Sequence, residues 1–268
     1  MIAPCLPRLS GIAGDLHAAI EALPIVSPHG HCDPEWWASD AAFPDPAALL
    51  VTPDHYLLRM LYSRGVPMEQ LGIGKTVADR DSRAIFRVFA RHWDAFLGTP
   101  TRMWMEHTLY GVIGVDTALA PDTADLVHDQ VAEWLSDPAH RPRALFDSFG
   151  IETLATTDPA LSDLSHHDRI AASGWSGRVI PTFRPDDLIN PGRPGQAGAI
   201  QALAAMTDTD VTTFRGFLDA IRARRAAFRE RGATATDHDV PLLMTAWLPP
   251  AEIEGLHSKA LTAGLTTD

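Results

Sequence analysis

The sequence predicts an α/β protein built on a parallel sheet, arranged either as a (β/α) barrel or as a doubly wound sheet. Two observations carry the prediction. In the second half of the chain, short apolar runs alternate with helical patterns, which is the rhythm of βα units. Polar residues able to do chemistry stand just after those runs, at the strand ends where parallel sheets place their sites. They are His29 and His31 after the first run, Asp158 after the second, Arg184 and Asp186 after the third, and Asp237 and His238 after the fourth. A third observation, a long stretch of helical spacing after the first run, predicts a helical insertion at that point.

The elements follow in order. Residues 15–23 read as a short helix, with Leu16, Ile20 and Leu23 at helical spacing. The apolar run 23–26 reads as a buried strand, ended by Ser27-Pro28. From residue 34 to 147, apolar residues recur at helical spacing, beginning with Trp36 and Trp37 and continuing through Tyr56, Leu57, Met60 and Leu61 to Val127, Val131 and Leu135. Pro and Gly divide this block into several short helices. Residues 151–157 and 178–183 are the next strands, the latter weakened by Pro181, which cannot donate to a ladder. A short helix over 166–173 lies between them. Residues 210–230 form an amphipathic helix with Phe214, Phe217, Leu218, Ile221 and Phe228 inward and Arg222, Arg224 and Arg225 outward. A weakly apolar fourth strand, 233–236, leads into Asp237-His238, and Pro249-Pro250 opens a last helix through Ala260. The organisation is therefore a lead-in and first strand (1–33), the helical insertion (34–147) and βα units two to four (148–268).

The chain has 268 residues, 46% of them hydrophobic and 21% charged, the profile of a soluble globular protein. No run of about 18 apolar residues occurs, and Met1 to Arg8 lacks a basic start followed by an apolar core, so neither a membrane span nor a secretory signal is expected. Cys5 and Cys32 make no disulfide framework, and the cytoplasm is the expected compartment. A net charge of −12 argues against nucleic acid and anionic membrane as partners. It leaves room for a small anionic substrate held by a few local arginines, and it is compatible with a homo-oligomer. No Gly-x-Gly-x-x-Gly or phosphate loop follows a strand, which weakens nucleotide readings.

His29 and His31 are one residue apart in an extended segment, so their side chains point the same way. Two imidazoles on one side of a strand end can share a divalent cation; they can also be ordinary loop histidines. Gly30 between them allows close approach of a backbone or ligand. Arg184 can hold a carboxylate in a bidentate grip, or pair with Asp186 or Asp187. Asp237 and His238 either support the site or touch substrate. Asp158 either caps a turn before Pro159 or takes part in chemistry. Tyr56 is either a site residue or a core aromatic with a satisfied hydroxyl. His166 and His167 open a helix and are expected to be solvated.

Five stretches, taken together and in order, resemble the uronate (glucuronate) isomerase family of the amidohydrolase superfamily. They are Pro28-His29-Gly30-His31-Cys32-Asp33-Pro34; Asp54-His55-Tyr56 with Arg59 and Gly65-Val66-Pro67; Thr156-Thr157-Asp158-Pro159; Gly177 through Asp186, containing Arg184; and Thr236-Asp237-His238. The resemblance implies a (β/α)8 TIM-type barrel with a helical insertion after strand 1. It implies interconversion of glucuronate with fructuronate, and of galacturonate with tagaturonate. By match, His29 and His31 would be metal ligands, Tyr56 a catalytic residue from the insertion, and Arg184 a binder of the substrate carboxylate. The family's histidine after the fifth strand, and its aspartate and arginine after the eighth, have no counterpart here. The chain thus resembles the N-terminal portion of such an enzyme, with about half the barrel, and is expected to be inactive alone.

An aldose–ketose isomerisation moves a proton between C2 and C1 through an enediol, whose negative charge a nearby cation would stabilise. Zinc suits histidine and carboxylate ligands, with manganese or iron as alternatives. Tyr56 could donate or relay a proton. Two rival readings are a metal-dependent hydrolase of the same superfamily and a non-catalytic barrel fragment. The hydrolase is disfavoured because Lys75 and Lys259, the only lysines, do not follow strands.

Overall fold

The first helix forms about a turn earlier than its apolar spacing predicts. In the computed structural model, which describes residues 11–190, 193–239 and 246–262, α1 covers Gly11–Ile20 and buries none of its residues. Cys5 lies outside the described residues. Past Pro24 the chain extends into β1, Ile25–Ser27. Asp33 then turns the chain, its carboxylate accepting from Glu35 N at 2.9 Å, and α2 follows at Glu35–Ser39. Two compact units result. One holds Asp40–Ser148 with the lead-in up to Leu23; the other holds Pro24–Ser39 and the chain from Phe149 on. Trp36 and Trp37 therefore do not begin the helical block. Their helix packs on Ser165–Ala172 of the sheet-bearing unit, where Arg169 donates to the Ala38 carbonyl.

The helical unit is punctuated by side-chain caps. Asp45 caps α3 (Pro46–Leu50), Asp54 caps α4 (His55–Ser63), Asp81 caps α5 (Ser82–Arg91) and Thr99 caps α6 (Pro100–Glu106). Each presents an oxygen to backbone N–H groups that the first helical turn leaves unpaired. α6 runs into a π-helical turn at His107–Val112, and α7 (Ala124–Ser136) and α8 (Pro142–Ser148) complete the unit. Leu57, Leu61, Phe86, Phe89, Phe96, Val127 and Val131 are fully buried at its centre. No helix among the described residues is long and apolar enough to cross a membrane.

In the second unit, β2 (Ile151–Ala155) pairs parallel with β1. β3 (Asp158–Pro159) and α9 (Ser165–Ala172) follow, then β4 (Arg178–Ile180), which pairs parallel with β2, and β5 (Phe183–Arg184), which pairs parallel with β3. The predicted strand 178–183 is thus split at Pro181, which has no N–H to give, while the predicted strand 151–157 stops at Ala155 and pairing resumes at Asp158. The hydrogen bonding nevertheless continues across the split: Thr156 N to Ile180 O, Thr182 N to Thr156 O and Asp158 N to Thr182 O lie between 2.9 and 3.1 Å. The predicted fourth strand is reduced to a single parallel bridge between Thr236 and Phe183, with Asp237 N donating to Phe183 O at 3.0 Å. Taking β2 with β3 and β4 with β5 as continuous stretches, 151–159 pairs with β1, 178–184 pairs with 151–159, and Thr236 pairs with Phe183, so the order is sequential. The first strand is not buried. Ile25 and Val26 are 48% and 58% exposed, because β1 is an edge strand with a partner on one side only among the described residues.

Helices α10 (Asp186–Ile189), α11 (Gln196–Thr207), α12 (Phe214–Glu230) and α13 (Pro250–Thr262) follow the sheet segments. Leu188, Ile200, Leu203, Phe217 and Phe228 form their shared core with Phe183, whose ring meets that of Phe228 edge-on at 5.1 Å. Arg224 is not on the outer face of α12. It is buried, donating from Nε to Ala160 O at 2.9 Å and from Nη2 to Ser162 O at 2.6 Å, so the loop carbonyls after β3 draw it inward.

Candidate active site

Pro28 ends the β1 ladder, and the next residues carry the two histidines on one side. Their Nε2 atoms are 3.0 Å apart and their rings stand nearly perpendicular, at 80°. Two imidazoles on one tetrahedral zinc, with Zn–N near 2.0–2.1 Å, would hold their nitrogens about 3.3 Å apart. The pair therefore fits a shared cation after a shift of about 0.3 Å. Both rings are exposed. Among the described residues, no group of three His, Cys, Asp or Glu side chains suited to a metal forms. Cys32 is half-buried and burial pushes its thiol up, away from the reactive thiolate.

Arg184 stands at the end of β5 and is already engaged. Its Nε donates to Asp186 Oδ2, and its Nη1 donates to Asp237 Oδ2 at 3.0 Å. Burial works to raise the Asp186 carboxyl, but the Arg184 guanidinium and the Asp239 N–H, at 2.9 Å, hold it below the usual carboxylate range. Asp187 pairs instead with Arg193 at 3.2 Å. Arg184 and Asp237, both expected to bind substrate, are thus brought together, and Asp237 serves as a support for the guanidinium. His238 is exposed, with Nε2 3.1 Å from Thr236 Oγ1.

A buried polar cluster at the end of β2 was not foreseen. Thr156 Oγ1 donates to Asp158 Oδ2 at 2.6 Å and lies 3.0 Å from His167 Nε2. His167 is 4% exposed, not solvated, because α9 turns it inward against this strand end. Burial raises the Asp158 carboxyl and lowers the His167 imidazole, so both shifts favour a neutral pair. The alternation of a strand signals this placement, since Thr156 and Asp158 share one face. The inward turn of His167 has no comparable sequence signal.

Tyr56 belongs to the other compact unit. It sits in the first turn of α4, its N–H held by Asp54 Oδ1 at 2.8 Å, and its ring is half exposed, 6.4 Å from that of Trp104. It is not buried in the core of that unit.

Comparison with known proteins identifies the family. A family model described as glucuronate isomerase matches residues 10–267. A uronate isomerase of Rhizorhabdus wittichii is 50% identical over 99% of this chain and 56% of its own length. One from Rhizobium meliloti is 46% identical over 97% of this chain and 56% of its own. The crystal structure of glucuronate isomerase from Caulobacter crescentus superposes with a TM-score of 0.88 at 42% identity, covering 93% of this chain and 53% of that one. Uronate isomerase from Thermotoga maritima gives a TM-score of 0.84 at 26% identity, over 95% and 55%. The chain therefore spans a little over half the length of the curated relatives it matches, in their N-terminal part.

Proposed function

Because the chain belongs to the glucuronate isomerase family, we propose that it carries part of the active site of an enzyme interconverting D-glucuronate with D-fructuronate, and D-galacturonate with D-tagaturonate. The observation that carries the reading is the facing pair of His29 and His31, 3.0 Å apart at the carboxyl end of β1. The sequential parallel order of β1, β2 with β3, β4 with β5, and Thr236 supports a (β/α)8 barrel of the amidohydrolase type, with these segments as its first half.

His29 and His31 would hold a divalent cation, zinc or else manganese or iron, which when bound lowers the cost of negative charge on the sugar oxygens. The chain's own residues are assigned the following roles in this reading. Arg184 receives the C6 carboxylate, its fork kept oriented by Asp186 and Asp237. His238, exposed at the same strand end, orients hydroxyls. Tyr56 donates or relays a proton at oxygen while the carbon-bound proton moves between C2 and C1. The test is to express the chain with the downstream half of a relative and follow fructuronate formation from glucuronate with zinc or manganese. Product that disappears in His29→Ala/His31→Ala supports the reading. Absence of isomerisation, with metal-dependent cleavage of an ester or amide in its place, would assign the site to a hydrolase.

A further inference from the structure

We propose that Thr157 is a positioning residue for the His29–His31 pair, latching the peptide between the two histidines onto the end of β2. The proposal rests on the reading that the pair holds a divalent cation.

Residues 28–33 have no regular secondary structure. Two imidazoles on an untethered loop would sample many arrangements, whereas a shared ion needs both nitrogens held within a few tenths of an ångström. The structure supplies a tether at the residue between them. Thr157 Oγ1 donates to the Gly30 carbonyl at 2.9 Å. Gly30 also lies hard against β2, where a Cβ would stand 3.2 Å from the Ala155 carbonyl oxygen. Its φ is not positive, so the glycine is there for close approach and not for a left-handed turn.

The anchor itself is rigid. Three backbone hydrogen bonds stitch residues 156–158 to 180–182. On the buried side, Thr156 and Asp158 bond to each other, and Thr156 also meets His167. Strand alternation then turns Thr157 the opposite way, toward Gly30. The buried cluster sets the position of Thr157, and Thr157 sets the peptide that carries both candidate ligands. The hydroxyl is the operative group, so serine should replace threonine and valine should not.

The experiment uses the 268-residue chain, metal-free, as wild type, Thr157→Val, Thr157→Ser and His29→Ala/His31→Ala, each checked for equal helical content. Zinc is titrated against a chromogenic chelator, and the imidazole 15N resonances of His29 and His31 are recorded without metal. Loss of one hydrogen bond of ordinary strength predicts about tenfold weaker zinc binding for Thr157→Val, and serine should stay within about threefold of wild type. The two rings differ in 15N shift while one Nε2 donates to the other; in Thr157→Val the shifts should converge, and in Thr157→Ser they should not. Wild-type affinity and ring shifts in Thr157→Val, with zinc lost from the double histidine variant, would overturn the latch and leave the cation reading intact. Zinc binding that is unchanged in the double variant would overturn the cation reading, and binding too weak to measure in a chain supplying two histidine ligands leaves the decision to the rings. The ring shifts then decide the latch, and unchanged shifts in Thr157→Val refute it.

Discussion

Replacing Arg184 by Met tests how the strand-end cluster is held together. Methionine keeps most of the apolar stem and removes the guanidinium, so packing changes little. The Asp186 side chain is 6% exposed and that of Arg184 28%. Removing one partner of a buried ion pair costs about 3–5 kcal/mol. Here Arg184 keeps contact with water and Asp186 keeps the Asp239 N–H, so the loss should be smaller, about 2 kcal/mol, typical of a hydrogen bond to a charged group. The pH dependence supplies a sharper check. Folding holds Asp186 below its ordinary value. A carboxyl so depressed contributes stability that is present above its unfolded pKa, about 3.9, and is lost as pH falls through the lower folded value. Without Arg184, burial is the strongest remaining influence and raises the carboxyl, so the variant takes up its proton at higher pH than wild type. The gap between the two should be about 2 kcal/mol at neutral pH and shrink as pH falls toward about 4. Urea denaturation followed by circular dichroism at both pH values measures it. A gap that is absent at neutral pH, or equal at both, would show that Arg184 and Asp186 are not coupled as described.

Other expectations concern ligands and turnover. In the completed enzyme, the double substitution His29→Ala/His31→Ala should abolish tight divalent metal binding, and unchanged metal stoichiometry would remove the pair from the site. In an active, completed enzyme, Arg184→Met should weaken binding of uronates more than of a neutral C6-amide analogue, by about one to two decades for a lost charge-assisted contact; equal losses on both would reduce Arg184 to a fold-supporting role. The 268-residue chain alone should not turn over glucuronate, since its described extended segments form four sequential parallel positions with an exposed edge at β1, against eight in a closed barrel. Turnover comparable to a full-length relative would refute that, whereas activity restored by the separately expressed downstream half would support it.

Much of the architecture was legible because its signals are local. Alternating runs and turn residues place β2, β4 and α12, and the caps Asp54 and Asp81 sit where side-chain oxygens start helices. Helix α11 was not foreseen. It is rich in alanine, with only Gln196, Ile200 and Leu203 buried, so its sequence carries propensity without a strongly apolar stripe. The split at Pro181 was half legible: the missing donor is a property of one residue, but that the flanking Ile180 carbonyl and Thr182 N–H both still bond Thr156 depends on register.

For the site, the sequence alone determined which groups are available and which side of a strand they share. His-Gly-His in an extended segment puts two imidazoles on one face, because side chains alternate. An arginine after a strand is presented at the sheet's carboxyl end. Tertiary structure decided what each group is paired with. The same run of strand-end carboxylates leaves Asp187 to Arg193 and gives Asp186 and Asp237 to Arg184. It buries His167 beside Thr156, draws Arg224 inward to loop carbonyls, and leaves Ile25 and Val26 open at an edge. The physical reason is common to all of these. Periodicity specifies direction relative to the chain's own axis, whereas burial and partnership depend on which distant backbone segments arrive on that side.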